Sequence, residues 1–192
     1  MTREQAEMIR RSELEFKKAT ISRNSQSLRA LPKLQSLFET DGVPFLAFKG
    51  VVQQLAIHKT PFYRPALDLD LLVPRKQFVK AGTCLEKAGM EILLPAALWW
   101  DFFLGERHYA DKAEGSWSLD LHHRVTQPGL KNPKKPGAFV AQREQMTYGE
   151  SRFWTLRKDD VPLVIAMNIV KHMGTQKPFA AHAFDLWTWA DQ

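Results

Sequence analysis

The sequence predicts an α+β (mixed α/β) fold in which a small mixed β-sheet is flanked by helices, with helical segments at the N- and C-terminal ends. Apolar residues recur at helical spacing near both ends of the chain, whereas alternating apolar and polar residues in the middle are typical of strands. Glycine and proline separate these segments. The resulting order of helix, strand, helix, strand, helix, hairpin and helices favours this fold class.

Composition limits the class of protein. With 192 residues, 44% hydrophobic and 25% charged, the chain has the size and composition of one folded domain. Its single cysteine, Cys84, excludes an intrachain disulfide and a cysteine-based zinc site, and favours a cytoplasmic location. No apolar stretch approaches the length of a membrane span, and the N-terminus lacks a secretory apolar segment. The formal net charge of +6 favours polyanionic partners.

We expect three segments within one compact unit: N-terminal helices over residues 1–40 that pack on the core, a core over residues 41–130, and a loop with C-terminal helices over residues 131–192. In the first segment a polar helix over residues 4–23 precedes a second helix, marked by leucines between residues 28 and 37. Asp41-Gly42 is a turn signal that ends the second helix.

The remaining elements follow from periodicity and from turn residues. Strands are expected at residues 43–48, 66–73 and 91–94, and a hairpin at residues 107–111 and 117–125. Helices are expected at residues 50–58, 77–89, 161–173 and 179–190, while residues 127–136 are expected to be loop.

Two acidic segments carry the chemistry of the sequence. Residues i and i+2 of a strand face the same side, so Asp68 and Asp70 lie side by side while Leu67, Leu69 and Leu71 face the core. Carboxylates this close repel each other, and a bound cation such as Mg²⁺ relieves the repulsion. If the strand carrying Asp120 pairs with the first, a third carboxylate joins the site.

The junction between the first strand and the following helix indicates a phosphate site. Gly50 begins that helix, and a glycine there lets the backbone approach a phosphate at the positive end of the helix. Lys49 precedes it as a candidate phosphate ligand. The other histidines outside the second acidic segment lie at no metal-ligand spacing from an acidic residue, so a catalytic zinc site is not expected.

These motifs together resemble a known family. They are Phe-Lys-Gly at residues 48–50, Arg-Pro-Ala-Leu-Asp-Leu-Asp-Leu-Leu-Val at residues 64–73 and Leu-Asp-Leu-His at residues 119–122. The combination resembles the bacterial "uncharacterised nucleotidyltransferase" family of the polymerase-beta-like nucleotidyltransferase superfamily. The resemblance implies a nucleotidyltransferase-like sheet in which Asp68, Asp70 and Asp120 bind Mg²⁺ or Mn²⁺ as catalytic residues.

The implied reaction moves an NMP from an NTP to a hydroxyl acceptor and releases pyrophosphate. Asp120 is also the expected base for the acceptor hydroxyl. Lys49, Gly50, Arg64 and His122 are expected to bind nucleotide or phosphate, although Arg64 has the alternative of an ion pair that only holds the acidic strand. The acceptor, a small molecule, a protein side chain or RNA, is open, and the basic charge favours an anionic one.

Two further functions stay open. Superfamily members usually carry Gly-Ser at the first helix, whereas this chain has Gly50-Val51, which favours a catalytically weakened nucleotide-binding or protein-interaction module. Alternatively, the basic loop at residues 131–135 and the tryptophans bind RNA. Trp187 and Trp189 also indicate an aromatic surface through which the chain forms a homo-oligomer.

Overall fold

The computed structural model describes residues 2–93, 98–111, 117–126, 128–130 and 134–192. Seven helices lie within these ranges: α1 (Arg3–Thr40), α2 (Gly50–His58), α3 (Phe78–Lys87), α4 (Leu98–Leu104), α5 (Pro136–Ala141), α6 (Val161–Gly174) and α7 (Ala180–Ala190). Seven strands lie there too: β1 (Leu46–Ala47), β2 (Asp68–Leu72), β3 (Met90–Ile92), β4 (Glu106–Asp111), β5 (Ser118–His122), β6 (Glu144–Tyr148) and β7 (Ser151–Thr155).

All seven strands form one mixed sheet in the order β3-β4-β5-β2-β1-β7-β6. At its centre β2 pairs parallel with β5 and antiparallel with β1, and β4 pairs antiparallel with β5 as the sequence predicts. The predicted mixed α/β fold class is therefore confirmed, with a larger sheet than expected. The additional hairpin β6–β7 escapes sequence analysis because β6 lies at the edge, and four of its five residues are exposed, so it lacks apolar alternation.

The N-terminal segment differs from the prediction of two helices. Residues 3–40 form a single helix of 38 residues, with Leu31 and Phe38 fully buried against the core. Between the two predicted helices the polar residues Asn24 and Ser27 are buried, and the helix continues through them. Asn24 is buried, and its side chain accepts a hydrogen bond from the Ala66 nitrogen at 2.8 Å and donates one to the Arg64 carbonyl oxygen at 2.8 Å.

The core holds β2 and β5 firmly enough to present one of their faces as a site. Leu69, Leu71, Leu119 and Leu121 are at most 1% exposed, and they pack in the hydrophobic cluster that includes α1 and α3. Leu67, which was expected to face the core, lies before β2 and is 73% exposed. In the described part of the chain, no helix combines the length and hydropathy that a membrane crossing requires.

Candidate functional site

The two acidic strands are neighbours in register, as the sequence analysis required. Asp70 lies opposite Asp120, and Asp68 lies opposite Ser118, in the parallel pair β2–β5. Since the leucines of both strands face the core, Asp68, Asp70 and Asp120 share the opposite face. The sheet therefore brings the three predicted carboxylates together.

Asp68 is the least compensated carboxylate of the three. Burial and then the negative charges of Asp70 and Asp120 raise the pKa of Asp68 from 3.8 to about 7, against a smaller attraction from Lys49. The charged form of Asp68 is therefore held at a free-energy cost, and a cation beside it would remove part of that cost.

Asp70 has two partners of its own. Lys49 Nζ donates to Asp70 Oδ1 at 2.8 Å, and His122 Nε2 lies 2.8 Å from the same oxygen. Burial alone would raise the pKa of Asp70, but the charge of Lys49 and the hydrogen bond with His122 outweigh it and lower this pKa below its usual range. Burial disfavours the charged Lys49, yet the attraction and hydrogen bond of Asp70 raise the pKa of Lys49. Asp70 thus stays ionised.

Strand β4 adds two residues that sequence reasoning missed, Glu106 and His108. His108 Nδ1 lies 2.6 Å from Asp120 Oδ1, and the hydrogen bond with Asp120 raises the pKa of His108. Glu106 Oε2 lies 3.4 Å from His122 Nδ1. His108 therefore has an acidic partner in the fold that its spacing along the sequence does not indicate. The missing signal was register, because Glu106 and His108 face His122 and Asp120 across the antiparallel pair β4–β5.

The donor atoms fit a small cation. One ligand atom each from Asp70, Asp120 and His122 can lie within 4.8 Å of the others. The predicted set was Asp68, Asp70 and Asp120, whereas this triad contains His122 in place of Asp68. Asp68 adds a further carboxylate beside the triad. Carboxylate oxygens suit Mg²⁺ and Mn²⁺, and an imidazole nitrogen suits transition metals.

Gly50 and Val51 have structural reasons of their own. Gly50 begins α2 with a φ of 55°, and a Cβ on it would lie 3.1 Å from the Asp68 carbonyl oxygen. Glycine is thus required for the close approach of α2 to β2 as well as for the left-handed backbone. Val51 is fully buried, so the position that carries serine in the superfamily points into the core here.

Arg64 forms the ion pair that was one of its two predicted roles, but its partner lies on α7 rather than on the acidic strand. Arg64 Nη1 donates to Asp185 Oδ1 at 2.7 Å and Nη2 to Asp185 Oδ2 at 2.5 Å. His58 and Gln53 of α2 also contact the Asp185 carboxylate, at 2.8 and 2.9 Å. Burial opposes ionisation of Asp185, but the hydrogen bonds from Arg64 and His58 lower its pKa.

A cavity of about 530 Å³ contains the site. The three carboxylates and Glu106 line it. Its basic lining residues are Lys49, Arg64, Lys171, His172, Lys177 and His182. Acidic residues that fit a cation thus share one cavity with basic residues that fit the phosphates of a nucleotide.

Residues 5–187 match the model of the family described as "Uncharacterised nucleotidyltransferase". The chain belongs to this family. The match covers nearly the whole chain and confirms both the resemblance found in the sequence and the enzyme class, nucleotidyltransferase. A search of curated protein sequences found no significant match.

Solved nucleotidyltransferase structures share the fold. The lincosamide antibiotic adenylyltransferase LnuA, bound to lincomycin, is 14% identical, with a TM-score of 0.54 over 86% of this chain and 95% of that one. ANT(2″)-Ia in complex with adenylyl-2″-tobramycin is 10% identical, with a TM-score of 0.53 over 87% of this chain and 88% of that one. At this level of identity the likeness concerns the fold.

Proposed function

We propose that the protein is a Mg²⁺-dependent nucleotidyltransferase that moves an NMP from an NTP to a hydroxyl group. The observation that carries the proposal is the register of β2 and β5, which places Asp70 opposite Asp120 with Asp68 beside them. A cluster of carboxylates in which burial and mutual repulsion raise the pKa of Asp68 to about 7 has little use in a site that binds no cation.

The chain's residues divide the work of the reaction. Asp68, Asp70 and Asp120 hold the metal, which when bound neutralises phosphate charge and polarises the reacting oxygen. Asp120, oriented by His108, accepts the proton of the acceptor hydroxyl as its oxygen bonds to the α-phosphorus. The bond from the α-phosphorus to the bridging oxygen breaks, and pyrophosphate leaves with both electrons. Lys49 and Lys171 lie where they can neutralise its charge.

Lys49 has a position from which it can serve both ends of the site. It contacts Asp70 at 2.8 Å and lines the same cavity as Lys171 and Lys177. If Asp70 held a cation, the ammonium group of Lys49 would be repelled from that carboxylate and could contact the phosphates instead. We therefore assign Lys49 as a phosphate ligand, and Arg64 as a phosphate ligand only through the part of its guanidinium not held by Asp185.

A small hydroxylated molecule is the proposed acceptor. LnuA and ANT(2″)-Ia are structures of enzymes with lincomycin and with an adenylylated tobramycin bound. The cavity of about 530 Å³ is in the size range of sites for such molecules, and it holds little more than a nucleotide and part of an acceptor. If the acceptor is a large molecule, only its reacting hydroxyl group would enter the cavity, and the rest of the molecule would stay outside.

A thermal-shift experiment tests the nucleotide site. ATP, GTP, CTP and UTP are added with Mg²⁺, with Mn²⁺ or with chelator to the wild type and to Asp68→Ala/Asp70→Ala. Binding to the native state raises the melting temperature by mass action. We expect a metal-dependent rise for at least one NTP that the variant loses. The control Asp159→Ala/Asp191→Ala removes two exposed carboxylates and should keep the rise. A rise that persists in Asp68→Ala/Asp70→Ala would refute the site.

Turnover separates the enzyme from the weakened binding module that Val51 favours. Pyrophosphate release from the bound NTP is measured with a panel of hydroxylated amines, sugars and antibiotics as acceptors. Release that requires both metal and acceptor supports the proposal. If the NTP binds tightly but no pyrophosphate is released with any acceptor or with water, the result would instead favour the nucleotide-binding module.

A further inference from the structure

Helix α6 contributes one uncharged polar side chain to the acidic cavity. The first ten residues of the helix, 161–170, are apolar except for Asn168. Asn168 lines the same cavity as Asp70 and Asp120, and it is only 5% exposed. Asparagine is unfavourable in the interior of a helix, and burial of its amide adds a desolvation cost. Packing of α6 alone therefore gives no reason for an amide at this position.

The amide of Asn168 differs from the other buried amides in the described residues. Asn24 bonds to three backbone groups, Gln53 donates to a carboxylate at 2.9 Å, and Gln54 accepts from a backbone nitrogen at 2.9 Å. Asn168 has no such partner within the described part of the chain. Its amide is also not among the fully enclosed polar groups, such as the nitrogens of His123, so a ligand in the cavity can reach it. Buried polar groups are normally hydrogen-bonded, which indicates a partner in the ligand.

The position of Asn168 on α6 indicates which part of the nucleotide it meets. Lys171 follows three residues later on the same face of the helix and lines the same cavity. Three residues of helix rise about 4.5 Å, so a group held by Asn168 lies close to the phosphates at Lys171. In an NTP the ribose lies directly beside the triphosphate, whereas the base lies farther away.

The chemistry of the amide also fits a ribose better than a phosphate. A carboxamide both donates and accepts hydrogen bonds, and so does a hydroxyl group, whereas ionised phosphate oxygens only accept. The cavity already offers Lys49 and Lys171 to the phosphates, and cations bind phosphate oxygens more strongly than a neutral amide does. The two ribose hydroxyls are therefore the groups that match both halves of the amide.

We propose that Asn168 determines specificity for the ribose of the NTP. This role rests on the proposed NMP transfer and adds the sugar to the definition of its substrate. The amide oxygen accepts a hydrogen bond from a ribose hydroxyl, and the amide nitrogen donates one to a ribose hydroxyl oxygen. An analogue that lacks the contacted hydroxyl leaves a buried polar group unpaired and so binds more weakly.

Isothermal titration calorimetry tests the proposal in the presence of Mg²⁺. The ligands are ATP, GTP, CTP and UTP, each compared with its 2′-deoxy and 3′-deoxy forms. For the NTP that binds, we expect the wild type to bind at least one deoxy form about tenfold more weakly. Asn168→Leu keeps a side chain of similar size without the amide. It should bind the NTP and that deoxy form within twofold of each other.

Two comparisons separate this contact from an effect on folding. Asn168→Leu should melt no lower than the wild type, because the amide has no partner in the described chain to lose. Gln145→Leu removes an exposed amide from β6, outside the cavity, and should keep the wild-type preference. The deoxy ligands remove the same contact from the unmodified protein, so their result does not depend on how a variant folds.

Three results would overturn the role of Asn168 while leaving NMP transfer in place. The wild type binds the NTP and both deoxy forms equally, or Asn168→Leu keeps the preference of the wild type. In the third, Asn168→Leu changes the preference among the four bases and keeps the preference for the ribose, which would mean that the amide contacts the base. If no NTP binds to the wild type, the proposed function itself fails, and the role of Asn168 fails with it.

Discussion

Two buried carboxylate centres line the same part of the molecule and are built in opposite ways. Asp185 stands alone with three partners, Arg64, His58 and Gln53, and has a lowered pKa. On β2 and β5, by contrast, several carboxylates share few cations, and the pKa of Asp68 is raised to about 7. The negative charge of Asp185 is compensated by residues of the chain itself, whereas the carboxylates on β2 and β5 need a bound cation for full compensation.

The contrast separates a stabilising carboxylate from one retained for binding. A balanced buried ion pair fastens α7 to α2 and to the segment before β2 through Arg64. An unbalanced cluster reduces stability, and proteins tolerate that cost at functional sites. Removing the charge of Asp185 should therefore destabilise the protein, whereas removing the charge of Asp68 should stabilise it.

The largest expected effect is on activity. Asp70→Asn removes the carboxylate that contacts both Lys49 and His122, and we expect the rate of NMP transfer to fall about 10³-fold, or about 4 kcal/mol in the barrier. Single-turnover pyrophosphate release measures the change. The melting temperature should also fall, because Asp70→Asn leaves Lys49 without its counterion, so the rates are compared well below both melting temperatures.

Asp159→Asn is the matched control, since Asp159 is an exposed carboxylate outside both centres. It should leave the rate within twofold of the wild type. An Asp70→Asn enzyme that keeps more than a tenth of the activity would show that the carboxylates of β2 are not catalytic, and would break the contrast between the centres.

The next largest effect is on stability. Asp185→Asn leaves Arg64 and His58 without their counterion, and we expect a loss of about 3 kcal/mol in the free energy of unfolding, since removal of one partner of a buried pair is strongly destabilising. The melting temperature should fall by about 6–10 °C. Transfer activity well below that temperature should change less than tenfold.

Denaturant unfolding and assays at 15 °C separate these outcomes for Asp185→Asn. A variant with wild-type stability would mean that Asp185 is as poorly compensated as Asp68. A stable variant with strongly reduced transfer would instead place Asp185 in the catalytic site itself.

Asp68→Asn should produce a smaller change of opposite sign. In chelator at pH 8 the variant should be more stable than the wild type by about 1 kcal/mol, as is common for substitutions that relieve strain in a functional site. Because the native pKa lies above 3.8, the wild type loses stability as pH rises from about 4 to about 7. The advantage of the neutral amide should therefore fade toward pH 5, which melting curves at both pH values measure.

How far the sequence predicts these centres differs between them. Alternation places Asp68 and Asp70 on one face of β2 and Asp120 on the polar face of β5, so the three carboxylates meet once the two strands pair. The helix start at Gly50 is equally local, because glycine punctuates the chain there. The spacing of apolar residues and the positions of glycine are local signals, and they are enough to predict these features of the acidic site.

Features that depend on long-range packing could not be read in this way. Asp185 lies 121 residues from Arg64 and 127 from His58 along the chain, and no local pattern joins them. The continuous α1 depends on the contacts of Asn24 with the segment before β2, which lies about 40 residues further on. The edge hairpin β6–β7 exposes most of β6 and so leaves little hydrophobic signal.

The smallest expected effect is in the acid response of the balanced centre. The native pKa of Asp185 is lowered, so its stabilisation is complete above the unfolded pKa of 3.8 and is lost as pH falls toward the native value. The difference in unfolding free energy between the wild type and Asp185→Asn should thus be constant from pH 8 to pH 5. By pH 4 this difference in unfolding free energy should narrow by only about 0.3 kcal/mol. Urea unfolding of both proteins in chelator across this range measures it. If the difference in unfolding free energy already changes between pH 7 and pH 5, the pKa of Asp185 is raised like that of Asp68. The two centres would then not differ in the way described.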